Sequence, residues 1–151
     1  MIAIATVLFF VFSIFLDARS TAYALSRGAE ESNPIAGKTP IQAALMRPLL
    51  NIAALALPLF LALSRFAYHP PIKQIYVSLL VIMLAISFGK AHAALENFCI
   101  GRLGKSPSNG LRHLLRLKQG RAHLAFNGVY FGLPWALLTI AFVKPWILQN
   151  V

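Results

Sequence analysis

From Ala122 to Val143 the chain carries no Lys, Arg, Asp or Glu, and three further apolar runs precede that stretch: Met1 to Leu16, Pro48 to Ser64 and Gln74 to Gly89. A helix that crosses the hydrocarbon of a bilayer needs about 20 mostly apolar residues, so four such runs predict four spans. A soluble fold is excluded on the same grounds. A chain of 151 residues that is 58% hydrophobic and only 12% charged has too little polar surface to cover a core of that size. The expectation is an all-α, polytopic membrane protein, with residues 1–151 forming a single four-helix transmembrane domain. Asp17, Arg47 and Lys90 stand where the first three runs would be cut, and are read as lying on continuing helix at the membrane boundary.

The charge distribution gives the orientation. The net charge is +10, but the basic residues are not interleaved with aromatics and fall between the spans, so membrane topology explains them and nucleic acid does not. The first connection holds Arg19, Arg27, Lys38 and Arg47, and the third holds Arg102, Lys105, Arg112, Arg116, Lys118 and Arg121. The second has Arg65 and Lys73, and the termini have Lys144. Lys and Arg favour cytoplasmic loops, so the first and third connections are expected inside and both termini outside, in a bacterial inner membrane. Met1 is followed directly by apolar residues, without a basic region or cleavage site, and the first run reads as a retained span. Tyr68, Tyr76 and Trp146 are expected in an outer aromatic belt. The lone Cys99 has no internal disulfide partner.

Along the chain, the first helix is expected to continue through Asp17 to Ser26, which contains no Gly or Pro, and to stop at Gly28. Ser13, Asp17, Ser20 and Thr21, spaced by three and four, give it a polar face. Ser32-Asn33-Pro34 signals a turn and Thr39-Pro40 a helix start, with a second helix from Pro40 to Phe66 that is bent at Pro48 and Pro58 and carries Asn51 as its deepest polar residue. A third helix is expected from Ile72 to Ile100. It turns polar after Ser87, with His92 and Glu96 on one face and Lys90 and Asn97 nearly opposite. No single partner helix can meet both pairs. Gly104 to Gly110 is a loop by composition. Leu111 to Lys118 reads as a short amphipathic helix before the fourth span, held on anionic lipids by Arg112, Arg116 and Lys118. An arm for RNA or for a protein partner is the alternative there. His123, Asn127 and Tyr130 form a stripe on the fourth helix, upstream of Pro134.

All four helices thus turn polar at one leaflet. A cytoplasm-facing cluster is expected from Asp17, Thr21, Glu31, Asn33, Arg47, Asn51, Lys90, His92, Glu96, His123 and Asn127, and ionisable residues at such depth are candidates for function. A purely structural reading stands beside it. Asp17 would pair with Lys90 or Arg47 and Glu96 with Arg102 or His92, while the asparagines bond between helices. Haem b held by His92 and His123 is a further reading. A metal held by His92, Glu96, His123 and Asp17 or Glu31 rests on an H-x-x-x-E spacing that is common by chance, and is not expected. No G-x-S-x-G and no glycine-rich phosphate loop is present, and no catalytic residue is assigned.

The string Asp17-x-x-Ser20-Thr21 followed by Gly28-x-x-Glu31-x-Asn33-Pro34 resembles the signature D-x-x-[ST]-T and G-x-x-E-x-N-P of an uncharacterised family of small bacterial integral membrane proteins. The resemblance covers residues 1–40 and carries no activity. Physically, the pattern suggests an acid and an Asn-Pro turn that satisfy each other at the end of the first helix.

The function expected from these features is a non-enzymatic accessory or scaffold subunit beside other membrane proteins, since no loop is long enough to build a soluble site. A haem- or lipid-binding membrane subunit is the alternative, followed by a membrane-embedded enzyme.

Overall fold

The computed structural model describes residues 1–29, 41–115 and 125–150, and every regular element among them is helical. The elements are α1 (Ile2–Ser26), α2 (Ile41–Arg65), α3 (Pro70–Leu103), α4 (Pro107–Leu114) and α5 (Ala125–Asn150). Four of them, α1, α3, α5 and the Met46–Arg65 part of α2, are long and apolar enough to cross a membrane. This is the all-α, four-span architecture read from the apolar runs.

The helix ends follow local chemistry. Gly28 adopts φ 86°, and its N–H bonds the carbonyl of Leu25 while that of Ala29 bonds Ala24, the paired closure of a Schellman motif. Pro70 opens α3 in the first turn, where its missing N–H costs nothing, and Gly104 closes it at φ 68°. The helix therefore runs two residues earlier and three later than the Ile72 to Ile100 expected. α5 contains two π-helical turns, Gly128–Gly132 and Thr139–Val143. Each ends two residues before a proline, Pro134 and Pro145. Proline removes one backbone donor, and a widened turn ahead of it lets the helix continue in a new register.

α3 is the central element. α1 packs along it, α2 lies mainly on α1, and α5 lies on another side of α3 while barely touching α1. The apolar core gathers Val7, Phe10 and Ile14 of α1, Ala56 and Phe60 of α2, Tyr76, Val77 and Leu80 of α3, and Ile147 of α5. Tyr76 is therefore not a belt residue. It is buried edge-on to Phe60, while Tyr68 and Trp146 are exposed. Leu8, Phe12, Leu55, Ile75 and Phe142 face outwards, as lipid-facing side chains do.

α4 differs from the helix expected from Leu111 to Lys118. It starts at Pro107, inside the stretch that composition marks as loop, because proline is well placed in a first turn and the left-handed Gly104 has already reversed the chain. Residues 116–120 lie outside the described residues.

Candidate functional site

Two polar seams run along α3 at the end of the bundle that carries Ser26, Leu103 and α4. On the α1 side, Lys90 Nζ donates to Asp17 Oδ2 at 2.9 Å. One and two turns further on, Asn97 Nδ2 donates to Thr21 Oγ1 at 3.0 Å and to Ser20 Oγ at 3.4 Å. Both hydroxyls in turn donate to the main-chain carbonyl of Asp17, at 2.9 Å each. The helices can approach this closely because Gly101 of α3 has no Cβ, and one built there would stand 2.6 Å from the Tyr23 ring.

On the other side, α3 meets α4 and α5. Glu96 Oε2 accepts from Ser108 Oγ at 2.8 Å and from the Ser108 N–H at 3.3 Å, and Oε1 accepts from the Tyr130 hydroxyl at 2.9 Å. Arg112 of α4 donates to Asn127 Oδ1 of α5 at 2.9 Å. Burial pulls the Arg112 guanidinium below its usual value while the charge of Glu96 opposes the shift, and arginine remains cationic throughout the physiological range. His92 Nδ1 accepts from Trp135 Nε1 at 3.3 Å, and its ring lies among Tyr130, Phe131 and Trp135. Gly89 lets the α5 backbone close in, with the Phe131 carbonyl 2.6 Å from where a Cβ would stand.

Between the seams lies a cleft of about 1210 Å³. α3 forms its floor, α1 and α5 its walls, and Ser108 and Arg112 of α4 stand at its polar end. Towards the middle of the bundle the lining is Ile82, Ile86, Leu133 and Ala136. Near the opposite end a smaller cavity of about 310 Å³ lies among Phe9 of α1, Leu84 of α3 and Ile147 of α5.

No known protein family, curated protein or solved structure matches this chain. The site has therefore to be judged by its own geometry.

Of the expected cluster, Asp17, Thr21, Lys90, Glu96 and Asn127 line the cleft. His92 stands on the same helix but turns to the aromatic side of α5. Arg47 and Asn51 do not join: both are exposed on α2, which packs on α1 by its Ala53, Ala56 and Phe60 face, about half a turn away. Glu31, Asn33 and His123 lie outside the described residues, and so does the Asn-Pro turn that the sequence sets against Asp17. The partner of Asp17 within the described residues is Lys90. Glu96 is held by Ser108 and Tyr130, not by Arg102, which is exposed, or His92. Arg112 is half-buried and turned to α5. Among the described residues no three His, Cys, Asp or Glu come together as a metal site.

Ser108, Trp135 and Asn97 are the site residues that sequence reasoning left out. Asn97 had a signal, since it shares a face with Lys90. Ser108 had none, because a serine in an apparent loop gives no direction.

Chemically, the candidate acid and base groups on the α5 side are already bonded. Glu96 accepts on both oxygens, and the imidazole accepts from an indole. Carboxylates held by several donors make poor proton acceptors. What the arrangement offers is an amphipathic surface: a long apolar wall ending in balanced, fixed charges.

Proposed function

We propose that this protein is a non-enzymatic accessory subunit of the bacterial inner membrane, with both termini outside, and that its cleft binds a membrane amphiphile on the cytoplasmic side. The observation that carries this reading is the cleft itself. At about 1210 Å³ it exceeds the roughly 300–1,000 Å³ typical of drug-sized ligands. Its length along α3, from Ile82 to Gly104, corresponds to about 33 Å of helix, of which about 12 Å, from Ile82 to Lys90, is the aliphatic part that would hold the start of an acyl chain. Its lining changes from aliphatic to polar along that axis, as an amphiphile does.

The subunit half of the reading is supported by α2. Asn51 lies within the Met46–Arg65 span and is exposed, in a face that also presents Ile52, Leu55 and Leu59. A polar side chain at that depth is costly against lipid alone and is stabilised by a hydrogen bond to another helix. α4, with Arg116 and Lys118 beyond it, would rest on the cytoplasmic leaflet, where each basic side chain near anionic lipid adds about 1 kcal/mol.

Native mass spectrometry of protein purified in mild detergent tests both halves. A bound amphiphile that is lost in Ala136→Trp, which fills the apolar end, supports the binding reading. A ligand-free wild-type protein that also stays empty when offered lipid overturns it. A photo-crosslinker at position 51 should yield adducts with other membrane proteins, and adducts with lipid alone would overturn the subunit reading.

A further inference from the structure

We infer that the head group this cleft recognises is an uncharged hydroxyl, gripped jointly by Asp17 and Lys90, so that its ligands are neutral hydroxyl-bearing amphiphiles such as diacylglycerols, monoacylglycerols or long-chain alcohols. The inference rests on the binding reading above and adds the chemistry of the head.

Charge balance comes first. Among the described residues that line the cleft, the ionisable acids and bases are Asp17 and Glu96 against Lys90 and Arg112, and their formal charges cancel. The excess of +10 over the whole chain is thus carried elsewhere. A phosphate or an ammonium entering the cleft would bring an unbalanced charge against an apolar wall, and burying such a charge is costly. An uncharged head group avoids that cost.

Hydrogen-bonding capacity narrows the choice. Asp17 is only 3% exposed, and its Oδ1 is buried without a hydrogen-bond partner. A buried carboxylate oxygen left in this state is destabilising, and a donor from a ligand removes the penalty. Beside it, Lys90 Nζ uses one of its three N–H groups on Asp17 Oδ2 and remains partly exposed at 19%. A buried acceptor without a partner and a partly exposed donor therefore belong to one ion pair. A hydroxyl donates and accepts from a single atom, which is what this pair requires. Oδ1 is buried, so a hydroxyl reaches it only with a partial turn of the carboxylate about χ2, a soft torsion, that shares Lys90 between the two oxygens.

Depth agrees with the chemistry. From Pro70 at one end of α3 to Lys90 is a rise of about 30 Å, the thickness of the hydrocarbon layer. The pair thus stands at the boundary of the hydrocarbon, a level shallow enough for a hydroxyl head and with its chain directed along Ile86, Ile82 and Ala136. Ser108 is bonded to Glu96, which lies about 9 Å, under two turns, beyond Lys90 on α3, and Arg112 is bonded to Asn127.

The test uses four probes with matched acyl chains, added to the full-length protein in detergent and read by native mass spectrometry: a diacylglycerol, the same lipid with its hydroxyl capped as the acetate, a phosphatidic acid and a phosphatidylcholine. The diacylglycerol should bind roughly tenfold more tightly than its acetate, the effect of losing one or two hydrogen bonds. Lys90→Met and Asp17→Leu should each remove that preference while leaving residual binding through the chains. If Asp17→Leu fails to fold, the Asp17→Leu/Lys90→Met double variant, which removes both charges together, serves in its place with the same expectation. Equal binding of diacylglycerol and acetate, or preference for either phospholipid, overturns the hydroxyl inference and leaves the amphiphile reading intact. Failure of all four probes to bind overturns both.

Discussion

Lys90 of α3 and Asp17 of α1 meet with Nζ 2.9 Å from Oδ2, across the most extensive helix contact in the bundle. The pair lies at the boundary of the apolar bundle, where Asp17 is almost fully buried and Lys90 keeps one edge towards the cleft. Removing one member of a buried pair costs about 3–5 kcal/mol because the other charge is left unpaired, whereas replacing both with apolar groups is often close to neutral.

Asp17→Leu and Lys90→Met should therefore each destabilise strongly, at the lower end of that range given the exposure of Lys90. The double variant should recover most of the loss. Thermal unfolding in detergent, arranged as a double-mutant cycle, reads the coupling, expected at about 4–5 kcal/mol, the two single losses less the small loss of the double variant. Additive single effects would show that the two charges do not stabilise each other.

The two glycines of α3 make a paired comparison. A Cβ at Gly89 would stand 2.6 Å from the Phe131 carbonyl, which is backbone, while one at Gly101 would stand 2.6 Å from the Tyr23 ring, which is side chain, and 3.2 Å from the Ala24 Cα, a milder backbone contact. A ring can swing aside and a helix backbone cannot without moving α5. Gly89→Ala is expected to cost about 1–3 kcal/mol, and Gly101→Ala clearly less. Equal losses by thermal unfolding would mean that Tyr23 is as fixed as the α5 backbone, contrary to this expectation.

The spans and several helix ends were legible because their signals are local. Apolar length gave the four spans, and Gly28 gave the end of α1. The opposition of Lys90 and Asn97 to His92 and Glu96 also followed from helical periodicity, and in the fold these pairs do meet different neighbours, α1 and α5. Arg47 and Asn51 were misplaced because depth along a helix says nothing about which face is buried, and α2 turns both outwards. Tyr76 failed for the same reason. The contact of Ser108 with Glu96 depends on the reversal at Gly104, a tertiary event that composition does not encode. The π turns of α5 set the register of Tyr130, and only the positions of Pro134 and Pro145 hinted at them.

Glu96 ties three helices through one carboxylate, and the consequence should be visible in α4. Glu96→Ala leaves the Ser108 N–H and the Tyr130 hydroxyl without their acceptor, and the Ser108 hydroxyl with Ser106 alone. Hydrogen–deuterium exchange over Pro107–Leu114 should rise about tenfold or more, the effect of roughly 1.5 kcal/mol or more on local opening. Tyr130→Phe removes one donor and leaves Ser108 bonded, so α4 should remain protected. Equal exchange in both variants would show that Ser108 does not hold α4 to α3.

Orientation in the membrane is the remaining expectation, and cysteine labelling tests it. Position 69 precedes α3 at the end opposite α4, and position 113 lies on an exposed side of α4, so the two stand on opposite sides of a membrane crossed by α3. Cys99 would be reactive background and is first replaced by Ala. By the excess of Lys and Arg in the first and third connections, His69→Cys should label with an impermeant maleimide in intact cells, and His113→Cys only after permeabilisation. The reverse pattern would turn the bundle over and place the Asp17–Lys90 cleft on the outer leaflet. Labelling of both positions from one side would be more serious, because α3 would then not cross the bilayer and the depth assigned to Lys90 would be lost.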